Sequence, residues 1–226
     1  MSNWSAYHQI GHPPKKIKRS KGFQLHFILS VLLLIGSASL VWFTIKSNQG
    51  MLIKHDSKNP HSAIFSSFSP TVQYWAEDIL SWSEDWSLDP LLIATVMQIE
   101  SCGNPEAISP AGAHGLFQVM PFHFDADEDM LNAQINAQRG LCYLSQSYEK
   151  AGGIIPLTLA GYNGGHGQIN RDANLWPEET KRYVQYGSEI YEDAAHGNPR
   201  GVALNTWLEA GGALLCQQAE VSLDLD

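Results

Sequence analysis

Only three cysteines stand among the 226 residues, Cys102, Cys142 and Cys216, and no two are close enough in the chain to form a thiolate pair. A cysteine-built zinc site is therefore excluded. His114, His123 and His166 show no ligand spacing among themselves, so no metal is expected. Basic residues are scarce in most of the chain: from Asn59 onward 22 acidic side chains face 6 basic ones, a net of −16. A surface of that sign does not hold nucleic acid, and it stands off from anionic lipid headgroups. Alternating strand patterns, internal repeats and low-complexity tracts are also missing. What remains is a helix-forming chain of a size suited to one domain with extensions.

One stretch lacks charge altogether. Phe23 to Ile45 holds no Asp, Glu, Lys or Arg over 23 residues, and residues 1–22 carry five basic side chains and no acidic one. That length crosses a bilayer as a helix, and the preceding lysines place the N-terminus in the cytoplasm with everything after Lys46 outside. A cleaved signal peptide has a similar basic start, and Gly36 to Ser39 supplies small residues for cleavage. The apolar run continues past them through Val41, Trp42 and Phe43, which favours an uncleaved anchor. The expected organisation is a cytoplasmic tail (1–22), a transmembrane helix (23–45), a linker (46–70), a catalytic domain (71–196) and a helical extension (197–226) packed on that domain.

Within the outer domain the spacing predicts helices over Thr71–Trp86, Pro90–Cys102, Leu131–Lys150, Pro156–Tyr162, Pro177–Asp193 and Leu204–Ser222, with a folded Gly- and Pro-rich loop over Asn104–Phe124. In the second helix, Asp89-Pro90 is a start signal and Gly103 a stop, so Glu100 falls in the last turn. The negative end of the helix and desolvation by Met97 and Ile99 both oppose ionisation there, as a general acid requires. By position alone the plainer reading of Glu100 is an acidic residue near a helix end that points into water.

The residues that follow decide between these. Gln98 to Pro121 reads QIESCGNPEAISPAGAHGLFQVMP, containing E-S-x-x-N-P-x-A-x-S-x-x-G-A-x-G-L-x-Q-x-M-P. This resembles the first signature of the soluble lytic transglycosylases of glycoside hydrolase family 23, which also holds the goose-type lysozymes. Asn136, Gly140, Tyr143 and Leu144 match a helical N-x-x-x-G-x-x-Y-L. A-G-Y-N-G-G at Ala160–Gly165 and E-T-x-x-Y-V at Glu179–Val184 match two further signatures, in order. The resemblance covers roughly residues 71–193 and implies an all-α, lysozyme-like fold.

It also implies a reaction. Glu100 would be the single acid/base, protonating the β-1,4 oxygen between N-acetylmuramic acid and N-acetylglucosamine. It would then take the C6 hydroxyl proton as a 1,6-anhydro ring closes. No second carboxylate is needed, and Asp125, Asp127, Glu128 and Asp129 read as a solvated turn. Ser109, Gln118, Met120, Tyr162, Asn163, Glu179 and Tyr183 would meet or orient the substrate. Ser109 can also be a turn serine, and Glu179 a residue placed for the helix dipole. Ser101 supports the helix end. Phe117 stands where methionine is more usual, and Gly161, where alanine is usual, adds flexibility at a helix end. His114 and His166 are candidates for groove lining. Because Cys142 occupies a variable position of the helical motif, the disulfide is placed at Cys102–Cys216. No cofactor is implied, peptidoglycan is the partner, and a monomer is expected. The alternatives are a lysozyme-type hydrolase on the same scaffold and a non-catalytic wall-binding or assembly protein.

Overall fold

A computed structural model describes residues 64–199 and 201–225. The expected tail, transmembrane helix and residues 46–63 of the linker lie outside them. Among the described residues no helix is long and apolar enough to cross a membrane.

The described residues form helices α1 (Pro70–Gln73), α2 (Ala76–Trp86), α3 (Pro90–Ser101), α4 (Ala133–Lys150), α5 (Ile155–Gly164), α6 (Glu178–Ala195), α7 (Val202–Trp207) and α8 (Ala213–Ser222). No strand occurs among them; Ile108–His114 and His114–Val119 are isolated bridges in the loop before α4. This is the all-helical class that the resemblance implied.

Helix α3 is the centre. Asp89 Oδ1 accepts from Leu91 N at 2.8 Å, and Pro90 opens the helix at a position where the N–H it lacks would have no helical partner. The other oxygen, Oδ2, accepts from the Tyr191 hydroxyl at 2.6 Å, which ties the start of α3 to α6. From Leu92 to Gln98 every residue is buried, so α3 is apolar nearly all round, as a core helix must be. Burying Leu92 and Ile93 completely contributes about 1.5–3 kcal/mol each. Helices α6, α2 and α8 pack on α3, while α5 lies against α4 and α6.

Several boundaries differ from expectation. The folded region starts before Thr71, because Phe65 and Phe68 are 0% and 1% exposed, so the end of the linker belongs to the domain. The first helix is broken between α1 and α2 at Trp75, whose φ of −88° and ψ of 11° leave the helical region. Its indole donates from Nε1 to the Gly103 carbonyl at 2.9 Å and stacks on Trp82, a placement one straight helix does not offer. α3 ends one residue early, with Cys102 itself left-handed at φ 53°. The last helix is two helices joined by a π turn over Leu208–Gly212, with Gly211 at φ 123°. A Cβ on Gly212 would sit 2.5 Å from the buried Trp207 ring, so the kink fits around that indole.

Cys102 and Cys216 form a disulfide that ties α8 to the end of α3. Around it the buried Gln98 accepts from Ser69 N and Ser69 Oγ, both at 3.0 Å, and donates to Cys102 Sγ at 3.1 Å. Cys142 stays outside the disulfide, half-buried on α4, and burial raises its pKa.

Candidate active site

A groove of about 630 Å³ opens beside the last turn of α3. Glu100 lies in it with Ser109, Gln118, Met120, Tyr162, Asn163 and Glu179. Seven of the eight residues singled out in the sequence thus line one groove. The eighth, Tyr183, is buried on α6 and interacts with the Glu100 carboxyl.

Glu100 keeps part of its surface open to the groove, yet its carboxyl is pushed up to about 8 from an ordinary 4.5. Burial is the main cause, the nearby Glu179 charge adds to it, and the Tyr183 hydroxyl opposes both. Met97, one helical turn before Glu100, is fully buried, and the Ile99 side chain turns toward α6, where a Cβ on Gly187 would meet it. The two tyrosines Tyr162 and Tyr183 are the groups that interact with the carboxyl, and its charge helps to push both phenols well above their ordinary range. The Tyr183 hydroxyl is buried without a well-formed hydrogen bond, so it answers to Glu100 rather than to the backbone. A carboxyl protonated at neutral pH, beside phenols that keep their protons, is suited to proton donation into the groove.

The opposite wall is the 104–124 loop, and α4 holds it. Asn136, fully buried, donates from Nδ2 to the His114 carbonyl at 2.7 Å and to the Met130 carbonyl at 3.0 Å. It also accepts from Phe117 N at 3.0 Å. One turn on, a Cβ at Gly140 would stand 2.5 Å from the Phe117 Cβ, so only glycine lets the loop approach the helix this closely. Phe117 therefore fills the core, edge-on to Trp82, and does not line the groove. Ser101 Oγ donates to the Leu116 carbonyl at 2.8 Å and accepts from Gly103 N, locking the loop to the end of α3.

Several side chains hold the wall as well as line it. Gln118, left-handed at φ 46°, donates from Nε2 to the Ala107 and Gly115 carbonyls. The strain of a non-glycine residue there is of the kind that clusters at functional sites. Ser109 Oγ accepts from Ala113 N at 3.0 Å, the turn-serine role, while still lining the groove. The Tyr162 hydroxyl donates to the Phe117 carbonyl at 2.8 Å, so its ring borders the groove with its polar end tied down. Asn163 Oδ1 accepts from Thr180 Oγ1 at 2.9 Å, which leaves its amide nitrogen for the groove. Glu179 stands exposed in the first turn of α6.

Residues not singled out as site residues also appear. Phe122, His123 and Tyr143 line the groove, whereas His114 and His166 do not. His114 closes its own loop by contacting the Gly112 carbonyl, and His166 stacks behind Tyr143 at 4.5 Å. Tyr143 was visible in the helical motif, but nothing in the pattern showed which way its ring turned. The acidic turn is not wholly solvated: Asp125 and Glu128 both clamp Arg139. Gly161 lies within α5, where a Cβ would meet Ile169 Cδ1 at 2.7 Å, so it serves packing rather than flexibility. Among the described residues no group of three or more His, Cys, Asp or Glu side chains could hold a metal ion.

Residues 77–184, which carry this whole groove, match the sequence model of the Transglycosylase SLT domain. Through this segment the chain is similar to the transglycosylase SLT family. A transglycosylase of Enterobacteria phage PRD1 is 35% identical over 117 residues, 51% of this chain and 42% of that protein. The endo-type membrane-bound lytic murein transglycosylase A of Klebsiella pneumoniae is 30% identical over 114 residues, 42% of this chain and 53% of that protein. The chain thus spans about half the length of the curated relatives it matches. An inactive mutant of the lytic transglycosylase Slt from Pseudomonas aeruginosa matches at 24% identity and a TM-score of 0.44, over 54% of this chain and 24% of that one. All four signature segments of the SLT domain face or brace the one groove: the α3 end with its loop, α4, the end of α5 and the start of α6.

Proposed function

We propose that this protein is a peptidoglycan lytic transglycosylase with Glu100 as its sole general acid/base. The observation that carries this reading is a single carboxyl, held protonated up to about 8 by burial, on the floor of the groove of an SLT domain. Glu100 donates its proton to the glycosidic oxygen between N-acetylmuramic acid and N-acetylglucosamine. The carboxylate left behind then accepts the muramic C6 hydroxyl proton as the 1,6-anhydro ring closes, so the bond is exchanged without consuming water. Tyr183 steadies the carboxylate, and Tyr162, tied to Phe117, shields it from solvent. Gln118, Met120, Asn163, Ser109 and Glu179 receive the sugars and the substituents along the groove. A wall-binding protein without catalysis has no use for so perturbed an acid.

The chain would act at the outer face of a cell membrane, anchored by residues 23–45 with its N-terminus in the cytoplasm. The uncharged stretch there supports this, as do the relatives named membrane-bound. Residues 197–226 form a helical extension stapled to the domain by Cys216.

The test is the chemistry of the ends. Full-length protein and its Glu100→Gln variant are incubated with purified peptidoglycan, and the muropeptides are weighed by mass spectrometry. Products lighter by one water than hydrolysed ones, absent with Glu100→Gln, are expected. Reducing ends would mean a lysozyme, and intact but bound strands a wall-binding protein.

A further inference from the structure

Aromatic rings run in contact from the rim of the groove to its acid. Phe122 lies 4.6 Å from His123 between ring centroids, His123 lies 5.3 Å from Tyr143, and Tyr143 lies 5.8 Å from Tyr162, the phenol that senses Glu100. His166 closes the far side of Tyr143, nearly parallel to it. Phe122 differs from the others in being 57% exposed, a large apolar side chain in the wall of the groove.

The turn that bears it is built to hold it there. Pro121–His123 is a single 3-10 turn, and Phe124 beyond it is buried. Arg139 on α4 then donates from Nε to Glu128 at 2.9 Å and from its terminal nitrogen to both Glu128 and Asp125. Two carboxylates of the loop are thus bound by one guanidinium, whose planar fork suits that geometry. Burial and the Arg139 charge lower the pKa of His123, so an uncharged ring backs Phe122 at neutral pH.

We propose that Phe122 is a sugar-stacking residue, taking the C–H face of a pyranose of the glycan strand, with Arg139 as the positioning residue that holds its loop. The occupant follows from continuity with the groove and from ring chemistry. A β-linked N-acetylhexosamine presents axial C–H groups on a face, which meet the negative face of an aromatic ring. Its polar edge is left to side chains such as Gln118 and Asn163. The identity of the strand rests on the lytic transglycosylase reading above.

The experiment measures binding, not cleavage. Full-length protein carrying Glu100→Gln is titrated calorimetrically with glycan strands freed of stem peptides by an amidase. Adding Phe122→Ala is expected to weaken binding about three- to tenfold, the range for one aromatic stacking contact, and Phe122→Trp to restore it. Arg139→Gln should weaken binding as well, but add nothing on top of Phe122→Ala, because it acts through that ring. Unchanged affinity in Phe122→Ala, a loss seen only with stem-bearing strands, or no binding to the strands at all overturns the proposal. Additive losses overturn the role of Arg139. Cleavage by the unsubstituted chain with full affinity in Phe122→Ala sinks this inference alone. Phe122-dependent binding without cleavage sinks the lytic activity alone.

Discussion

Replacing Glu100 by glutamine should make the protein more stable, and only above the pH at which the carboxyl ionises in the unfolded chain. The folded protein binds the Glu100 proton up to about 8, against 4.5 for the ordinary group. Between those values the native state holds more protons than the unfolded one, so stability falls as pH rises. Below 4.5 both states are protonated and the contribution is complete; above 8 both are ionised and it is gone. At about 1.36 kcal/mol per pH unit the ceiling is roughly 5 kcal/mol. Glu100 keeps some contact with water in the groove, which reduces this to the order of 2–4 kcal/mol. Glutamine has the same shape and no charge to lose. Urea unfolding of both proteins from pH 4 to pH 9.5 should therefore give curves that run together in acid and separate in favour of Glu100→Gln as pH climbs. Tyr162 and Tyr183, raised well above 10, do not titrate in that window. A gap that is constant with pH would refute the claim that burial, rather than ordinary packing, sets the state of Glu100.

Other outcomes follow from the same contacts. Tyr183→Phe removes the hydroxyl that favours the ionised Glu100, so the alkaline limb of the pH–rate profile should move upward; a downward or absent shift would count against that contact. Gly140→Ala forces a Cβ to 2.5 Å from Phe117 and should cost about 1–3 kcal/mol as overpacking, read as a lower urea midpoint, with the loop wall and strand binding disturbed together. Reducing the Cys102–Cys216 bond, 114 residues apart, removes a closed loop worth about 4–5 kcal/mol by chain entropy. The urea midpoint should drop with reductant in the native chain and in Cys142→Ser, and a Cys142→Ser protein indifferent to reductant would contradict it.

Much of the molecule was legible before any fold was known, because its signals are local. Asp89-Pro90 and the acidic first turn of α6 mark helix starts through interactions made within one turn. The E-S, G-L-x-Q-x-M-P, Y-N and E-T-x-x-Y-V segments identified the residues that gather at the groove. The break at Trp75 was not legible, since it arises from an indole seeking a distant partner, the Gly103 carbonyl.

The amino-acid sequence alone determined the helical class, the acid and the set of polar residues around it, because periodicity, capping and motif spacing are properties of neighbouring residues. Only the tertiary structure decided what each of them does. Tyr162 is tied to Phe117 across 45 positions, Asn136 pins three backbone groups of a loop, and Gly161 makes room for Ile169. The raised pKa of Glu100 belongs with these. A helix end can hint at it, but the carboxyl is buried by the fold and meets Tyr162, Glu179 and Tyr183 from α5 and α6, and no stretch of sequence contains that.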